Sequence, residues 1–278
     1  MKLANIRTLL IDGDGVLWRS DEAMPGLLRF FAVLKDRAVQ WALLTNNNTR
    51  TVDSYVNKLG GFGIEIEKER IFTSSTVTAA YLKQKYGRGA AVHAVGMSGL
   101  IDTLREAGFL VSVGEEMPDH DVVAVAAGMD RGLNHGKVRI AMRLIMGGAE
   151  FVATNTDGSF PTPDGLNPGT GMVIGALQAT SGVSPTVMGK PQREMYEVSM
   201  RALNADPRTT AMLGDRLNTD IFGAQQVGIG TIGVLSGVMT REQLADSDVQ
   251  PDVLFESIAE LAEALEENNQ QPTTNNQR

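Results

Sequence analysis

Short apolar runs alternate with amphipathic stretches along most of this chain, and that alternation restricts its fold more than any other feature. Arg7–Asp12, Val39–Thr45, Thr186–Met188 and Thr209–Leu213 read as buried strands. Each leads through a loop into a stretch whose apolar residues recur every three or four positions: Leu27–Lys35, Thr51–Leu59, Gln192–Leu203 and Leu217–Val227. Repeated strand and helix of this kind build an α/β fold around a doubly wound parallel sheet. A second α/β block spans 77–183, with strands expected at Ala91–Val95, Asp121–Ala127 and Glu150–Thr154 and helices at Gly99–Ala107 and Lys137–Met146. It reads as an insertion, because the strands before and after it end in polar residues of one kind and its own strands do not. The expected organisation is a discontinuous core of residues 1–76 and 184–267, an inserted domain at 77–183, and a tail at 268–278. That tail has no apolar residue except Pro272 and is expected to be disordered.

Composition removes several functional classes. The 278 residues include no cysteine, which excludes a disulfide framework, a cysteine-ligated zinc or iron–sulfur site and a thiol nucleophile. A reducing, cytoplasmic location fits. The net charge of −8 disfavours nucleic acid and anionic membranes as partners, since both reward a basic face. The first apolar stretch, Thr8–Ile11, is too short for a signal peptide, and no segment approaches the roughly 18 to 20 apolar residues of a membrane span.

The chemistry lies at the strand ends. Asp12-Gly13-Asp14-Gly15 closes the first apolar run, where extended chain lets residues i and i+2 project together. Two carboxylates so placed repel, so one is protonated or a divalent cation joins them. A plain turn with solvated aspartates stays open at this point. A calcium loop does not, because Val16, Leu17 and Ala23 stand where an oxygen ligand, a glycine and another oxygen ligand are needed. Thr45-Asn46-Asn47 offers a hydroxyl, amides and helix-start N–H groups to an anion, or simply caps a turn. Gly189-Lys190-Pro191 brings a point positive charge and is not a phosphate-binding P-loop, which would need Ser or Thr at 191. Gly214-Asp215 ends another run, with Asp220 one turn into the following helix. In an open parallel sheet the carboxyl ends of strands form the ligand crevice, and four such ends here present Asp/Asp, Thr/Asn, Lys and Asp. The excess of acids calls for a hard dication, and oxygen donors favour Mg²⁺ over zinc.

The ordered set Asp12-Gly-Asp-Gly-Val16, Thr45-Asn-Asn47, Gly189-Lys-Pro191 and Gly214-Asp-Arg-Leu-Asn-Thr-Asp-Ile221 resembles the four motifs of the haloacid dehalogenase superfamily. It is similar in particular to the branch of 4-nitrophenylphosphatases and phosphoglycolate or pyridoxal phosphatases, which carries a large α/β cap between its second and third motifs. The resemblance covers about residues 5 to 265 and includes Gly128-Met-Asp-Arg131, Ala153-Thr-Asn-Thr-Asp-Gly158 and Pro168-Gly-Thr-Gly171. It implies a Rossmann-like core with a cap at 77–183, and a Mg²⁺-dependent phosphatase of a small phosphorylated metabolite. It also implies that Asp12 is the nucleophile and Asp14 the proton donor and later base. Mg²⁺ would sit on Asp12, Asp215 and the Asp14 carbonyl with Asp220 behind, and Thr45, Asn46, Asn47 and Lys190 would meet the phosphoryl oxygens. Trp18, Arg131, Asn155 and Asp157 are further candidates for substrate contact, each with a packing or loop role as the alternative. A homodimer through the cap is implied as well. Gly13 departs from the larger residue common between the two aspartates, and Asn218 stands where an Asp is also found.

Other readings are a phosphotransferase or nucleotide-selective phosphohydrolase with the same intermediate, and a non-catalytic binding module, against which intact Asp12 and Asp14 argue. Gly228-Ile-Gly230-Thr-Ile-Gly233 matches a dinucleotide fingerprint in letters only, because it precedes a strand instead of opening a helix. Gly96-Met-Ser-Gly-Leu100 lacks the second glycine of a nucleophile elbow, and His93, His120 and His135 have no metal-ligand spacing.

Overall fold

The computed structural model describes residues 1–162 and 165–267; the tail expected to be disordered lies outside the described residues. The chain forms two compact units, one of Met1–Leu44, Val56–Ile71 and the described residues from Tyr196 on, the other of Thr45–Tyr55 and the described residues of Phe72–Met195. The first is built on a six-stranded sheet in the order Val253–Phe255, Gly230–Val234, Thr210–Gly214, Thr8–Ile11, Gln40–Thr45 and Ile71–Thr73. Thr8–Ile11 pairs in parallel with Thr210–Gly214 on one side and Gln40–Thr45 on the other. Its residues are all buried, which explains an apolar run without alternation. Chain order reverses at this strand, so a crevice opens between the carboxyl ends of Thr8–Ile11 and Thr210–Gly214, where ligands of such sheets bind. The helix Leu27–Asp36 turns Leu27, Phe30, Phe31, Val33 and Leu34 inward.

The second unit carries a five-stranded sheet in the order Thr186–Val187, Glu150–Ala153, Ala124–Ala127, Ala91–Val95 and Leu110–Val113. Val95, Val125, Ala127, Phe151 and Ala153 pack there with Ala141, Ile145, Val173, Ile174 and Leu177 of the helices His135–Met146 and Thr170–Ser181. Asn134 caps the first of these helices by accepting from Lys137 N at 3.0 Å. Thr73 and Thr76 form a reciprocal cap at the start of Ser74–Tyr86. An antiparallel hairpin, Ser159–Thr162 with Gly165–Pro168, precedes Thr170–Ser181.

Two expectations are corrected. Thr186–Val187 is not a strand of the first sheet; it pairs in parallel with Glu150–Ala153 at the edge of the second. A local apolar pattern identifies a strand without identifying the sheet that receives it. Nor is Leu217–Val227 one regular helix: a wide π-type turn over Leu217–Ile221 leads into Phe222–Gln226, which ends as Gly228 adopts φ +74°. Among the described residues, no helix is long and apolar enough to cross a membrane.

Candidate active site

Ile11 pairs with Leu213 in register, so the residues that follow, Asp12 and the Gly214-Asp215 step, leave neighbouring strands side by side. Asp12 N donates to Leu213 O at 2.9 Å, carrying the ladder one residue past the strand end. Asp12, Asp215 and Asp220 each bring a carboxylate oxygen to within 4.8 Å of the others, and all three are buried. Asp215 is braced by the segment after Gly230–Val234: Val238 N donates to its Oδ2 at 2.8 Å and Met239 N to its main-chain O at 2.8 Å. Gly15, at φ +85°, and Gly237 flank this carboxylate so closely that a Cβ on either would collide with it. Its other oxygen, Oδ1, is buried and accepts no hydrogen bond. Burial first, then the charges of Asp12 and Asp220, push the Asp215 carboxyl up to about 8.

Asp220 packs on Gly214 and accepts from Arg216 N at 3.1 Å, tying the wide turn. The Tyr196 hydroxyl donates to Thr219 O at 2.7 Å beneath it. Burial and the charges of Asp220 and Asp12 hold this phenol well above its ordinary value, so it stays a neutral donor.

Asp12 is crowded by Asp215 and Asp220, two carboxylates far from it in the chain. Asp14 is exposed, and its Oδ1 accepts from the indole Nε1 of Trp18 at 2.9 Å. The chain turns at Gly15, φ +85°, immediately after Asp14.

The second unit holds the remaining candidates in a hydrogen-bonded network. Asn46 accepts from Lys190 N at 2.8 Å through Oδ1, and its Nδ2 donates to Lys190 O at 2.9 Å and Asp157 Oδ2 at 3.1 Å. Both amide hydrogens are therefore spent within the protein, and the carboxamide has no donor left for an anion. Asp157 Oδ2 also accepts from Asn155 Nδ2 at 2.7 Å. Thr45 is buried and accepts from Asn47 N at 3.2 Å, and Asn47 in turn accepts from Thr49. Lys190 is buried, the peptide bond before Pro191 is cis, and the next helix begins at Arg193. Arg131 is exposed, while its neighbour Asp130 is buried against Lys137 at 2.7 Å.

Sequence reasoning missed Asn48 and the Ser236–Met239 segment. Asn48 is buried; it accepts from Met129 N at 2.7 Å and donates to Asn155 Oδ1 at 2.8 Å and Thr170 Oγ1 at 3.1 Å. The third asparagine of one run was the available signal. For the other segment it was the glycine at 237 just beyond a strand.

A family model of haloacid dehalogenase-like hydrolases matches residues 9–110, and a second HAD-hydrolase-like model matches residues 187–261. A dihydroxyacetone phosphatase of Corynebacterium glutamicum is 34% identical over 258 residues, which are 93% of this chain and 91% of that protein. A 5′-nucleotidase of Bacillus subtilis is 35% identical over 90% of this chain and 95% of its own. The crystal structure of a 4-nitrophenylphosphatase from Thermotoga maritima matches with a TM-score of 0.87 and 30% identity, covering 95% of this chain and 98% of that one. The chain belongs to the haloacid dehalogenase-like hydrolases. Within them it is a phosphoric monoester hydrolase of the 4-nitrophenylphosphatase-like branch.

Proposed function

We propose that this chain hydrolyses a small phosphomonoester with a bound Mg²⁺ and an aspartyl-phosphate intermediate on Asp12. The buried trio carries the reading: three carboxylates share one small space, and Asp215 Oδ1 there accepts no hydrogen bond. Such a group is stable in ionised form only with a cation, and oxygen donors from so few residues suit Mg²⁺, which keeps water and substrate phosphate in its other positions. Asp12 and Asp215 would hold it through their carboxylates, Asp14 through its carbonyl by family resemblance, with Asp220 supporting from behind. Mg²⁺, when bound, offsets the negative charge of the phosphoryl group.

The chain's own residues do the rest. A carboxylate oxygen of Asp12 forms a bond to phosphorus as the bond from phosphorus to the ester oxygen breaks. The carboxyl proton of Asp14 passes to that oxygen, and an alcohol leaves. Water then attacks the phosphorus, Asp14 takes a proton from it, and the bond from Asp12 to phosphorus breaks to release phosphate and restore both aspartates. Phosphate-monoester hydrolysis requires rate factors up to about 10²¹, so positioning and charge neutralisation must be extensive.

By the same resemblance, Thr45, Asn46, Asn47 and Lys190 serve the phosphoryl oxygens, Asn46 through its main-chain N–H because its side chain is spent. Residues 77–183 would supply the cap and residues 1–76 with 184–267 the catalytic core, with the edge strand Thr186–Val187 lent to the second unit's sheet. Asn155 and Asp157 are committed to each other, which leaves exposed Arg131 as the cap candidate for an anionic substrate. Similarity to both a dihydroxyacetone phosphatase and a 5′-nucleotidase supports metabolite-sized substrates and keeps nucleotide selectivity as a second reading.

The test is release of p-nitrophenol from p-nitrophenyl phosphate with Mg²⁺, with a chelator, and with Asp12→Asn. The expected result is Mg²⁺-dependent release, lowered at least about 10³-fold by the substitution. Activity surviving in Asp12→Asn overturns the nucleophile assignment. Dihydroxyacetone phosphate and a 5′-nucleotide as substrates then separate the two specificity readings.

A further inference from the structure

The residue assigned to proton transfer, Asp14, is exposed, and an exposed carboxylate rotates freely unless something holds it. Here a buried indole does. Trp18 is 1% exposed, and its Nε1 donates to Asp14 Oδ1 at 2.9 Å. The loop between them is closed by its own backbone: Gly15 N donates to Trp18 O at 2.8 Å and Leu17 N to Gly13 O at 2.9 Å. The indole lies against Gly13, where any Cβ would collide with its six-membered ring. The small residue between the two aspartates, which departs from the family's habit, is therefore the space the indole needs. On Trp18 itself, Lys58 Nζ stands 4.8 Å from the ring centroid, and Lys58 is fixed in turn by Ser20 O and by Asp21 at 3.5 Å. A cation over the ring draws electron density from it and makes its N–H a better donor.

From this arrangement we infer that Trp18 is a positioning residue for proton transfer, holding the Asp14 carboxyl in one orientation with Oδ2 as its proton-bearing oxygen. An indole N–H only donates, and the carbonyl oxygen of a carboxylic acid is the better acceptor of its two, so engaging Oδ1 favours Oδ2 as the oxygen that carries the transferable proton. The inference rests on the reading of Asp14 as the proton donor. Gly13 and Lys58 serve it indirectly, the one by leaving room for the ring and the other by fixing it.

Leaving-group dependence tests this. An alkyl alkoxide needs a proton in order to leave, whereas p-nitrophenolate leaves without one, so kcat/KM on ethyl phosphate and on p-nitrophenyl phosphate separates proton delivery from general damage. Trp18→Phe, and Trp18→β-(3-benzothienyl)alanine, which keeps the shape and replaces N–H by sulfur, are compared with Asp14→Asn. Asp14→Asn is expected to lose about 10²-fold or more on ethyl phosphate and far less on p-nitrophenyl phosphate. Both Trp18 variants are expected to reproduce that selectivity in part, with a loss on ethyl phosphate about tenfold greater than on p-nitrophenyl phosphate. A second readout needs no turnover. The protein has two tryptophans, Trp18 and Trp41, and one of the two indole N–H resonances in a ¹H–¹⁵N spectrum is expected downfield and to shift in Asp14→Asn. Equal losses on both substrates in the benzothienyl variant, or indole resonances unmoved by Asp14→Asn, overturn the role of Trp18. Should Asp14→Asn itself lose equally on both substrates, the proton-donor assignment falls instead, a result separable from failure at Trp18. If Trp18→Phe does not fold, the shape-preserving variant and the indole spectrum still decide.

Discussion

The two units each bury a cluster of polar side chains, and the clusters are opposite in kind. In the first, Asp12, Asp215 and Asp220 bring like charges together, and a buried oxygen of Asp215 accepts nothing. In the second, Asn46, Asn48, Asn155, Asp157 and Thr170 answer one another donor for acceptor, with Asn48 filling three bonds alone. Networks satisfied in this way rigidify a fold, whereas a cluster of like charges costs stability and is kept for what it can bind. Burial of polar groups alone thus does not mark a site; like charges gathered around an unanswered oxygen do.

Asp215→Asn is the strongest way to break the comparison. It removes one charge and nearly preserves shape, and Val238 N keeps an oxygen acceptor. Mg²⁺-dependent hydrolysis is expected to fall on the order of 10²- to 10³-fold, the scale of losing one charge-stabilising group. In chelator at pH 9, above the value near 8 at which this carboxyl ionises, the thermal midpoint of the variant is expected to exceed that of the unsubstituted protein, because buried repulsion is relieved. A midpoint lowered in chelator, as for removal of any packed side chain, would make this cluster no different from the one in the second unit.

The converse substitution is Asn48→Ala. It leaves Met129 N–H, Asn155 Oδ1 and Thr170 Oγ1 short of a partner at a buried place, with an expected cost of about 3 kcal/mol. Urea unfolding followed by circular dichroism measures it. Asn47→Ala, whose side chain accepts only from neighbouring Thr49, is expected to cost about 1 kcal/mol or less. If the two variants lose equal stability, the network is a series of local turns and the contrast fails.

How much of this was legible depends on the range of the interactions. Asp12 and Asp215 could be placed at strand ends, since a buried parallel strand is a local apolar run and the residue closing it is readable. Their crowding with Asp220 was not readable, because it depends on the π-type turn that folds Asp220 back over Gly214. Asn48 looks like one more turn residue in a Thr-Asn-Asn-Asn run. Its partners lie 81, 107 and 122 residues away, and nothing local announces them. The same holds for Thr186–Val187, whose strand character is local and whose pairing with Glu150–Ala153 is not.

An effect smaller than that of Asn48→Ala concerns a polar group of the second unit's sheet that its neighbours leave partly unanswered. His93, on Ala91–Val95, has Nδ1 3.1 Å from Ser112 Oγ, and its buried Nε2 has no partner. Burial lowers its pKa from 6.5 to about 4. Above pH 6.5 the ring is neutral whether the chain is folded or not, and its contribution to stability is complete. Between the two values the unfolded chain binds a proton that the folded one refuses, so acid favours unfolding. From pH 7.5 to pH 5 this costs about 2 kcal/mol, read as a fall in urea-unfolding free energy. In His93→Gln that part of the pH slope is expected to vanish. Glu150, whose pKa burial raises but the donors Lys85, Tyr81 and Tyr86 together bring below the ordinary value, does not confuse the window, because its own loss begins only as pH falls through the carboxylate range. An unchanged slope in His93→Gln would show that the histidine takes up its proton in place. The second unit would then accept a buried charge without a counter-ion, and the distinction from the carboxylate cluster would be one of sign alone.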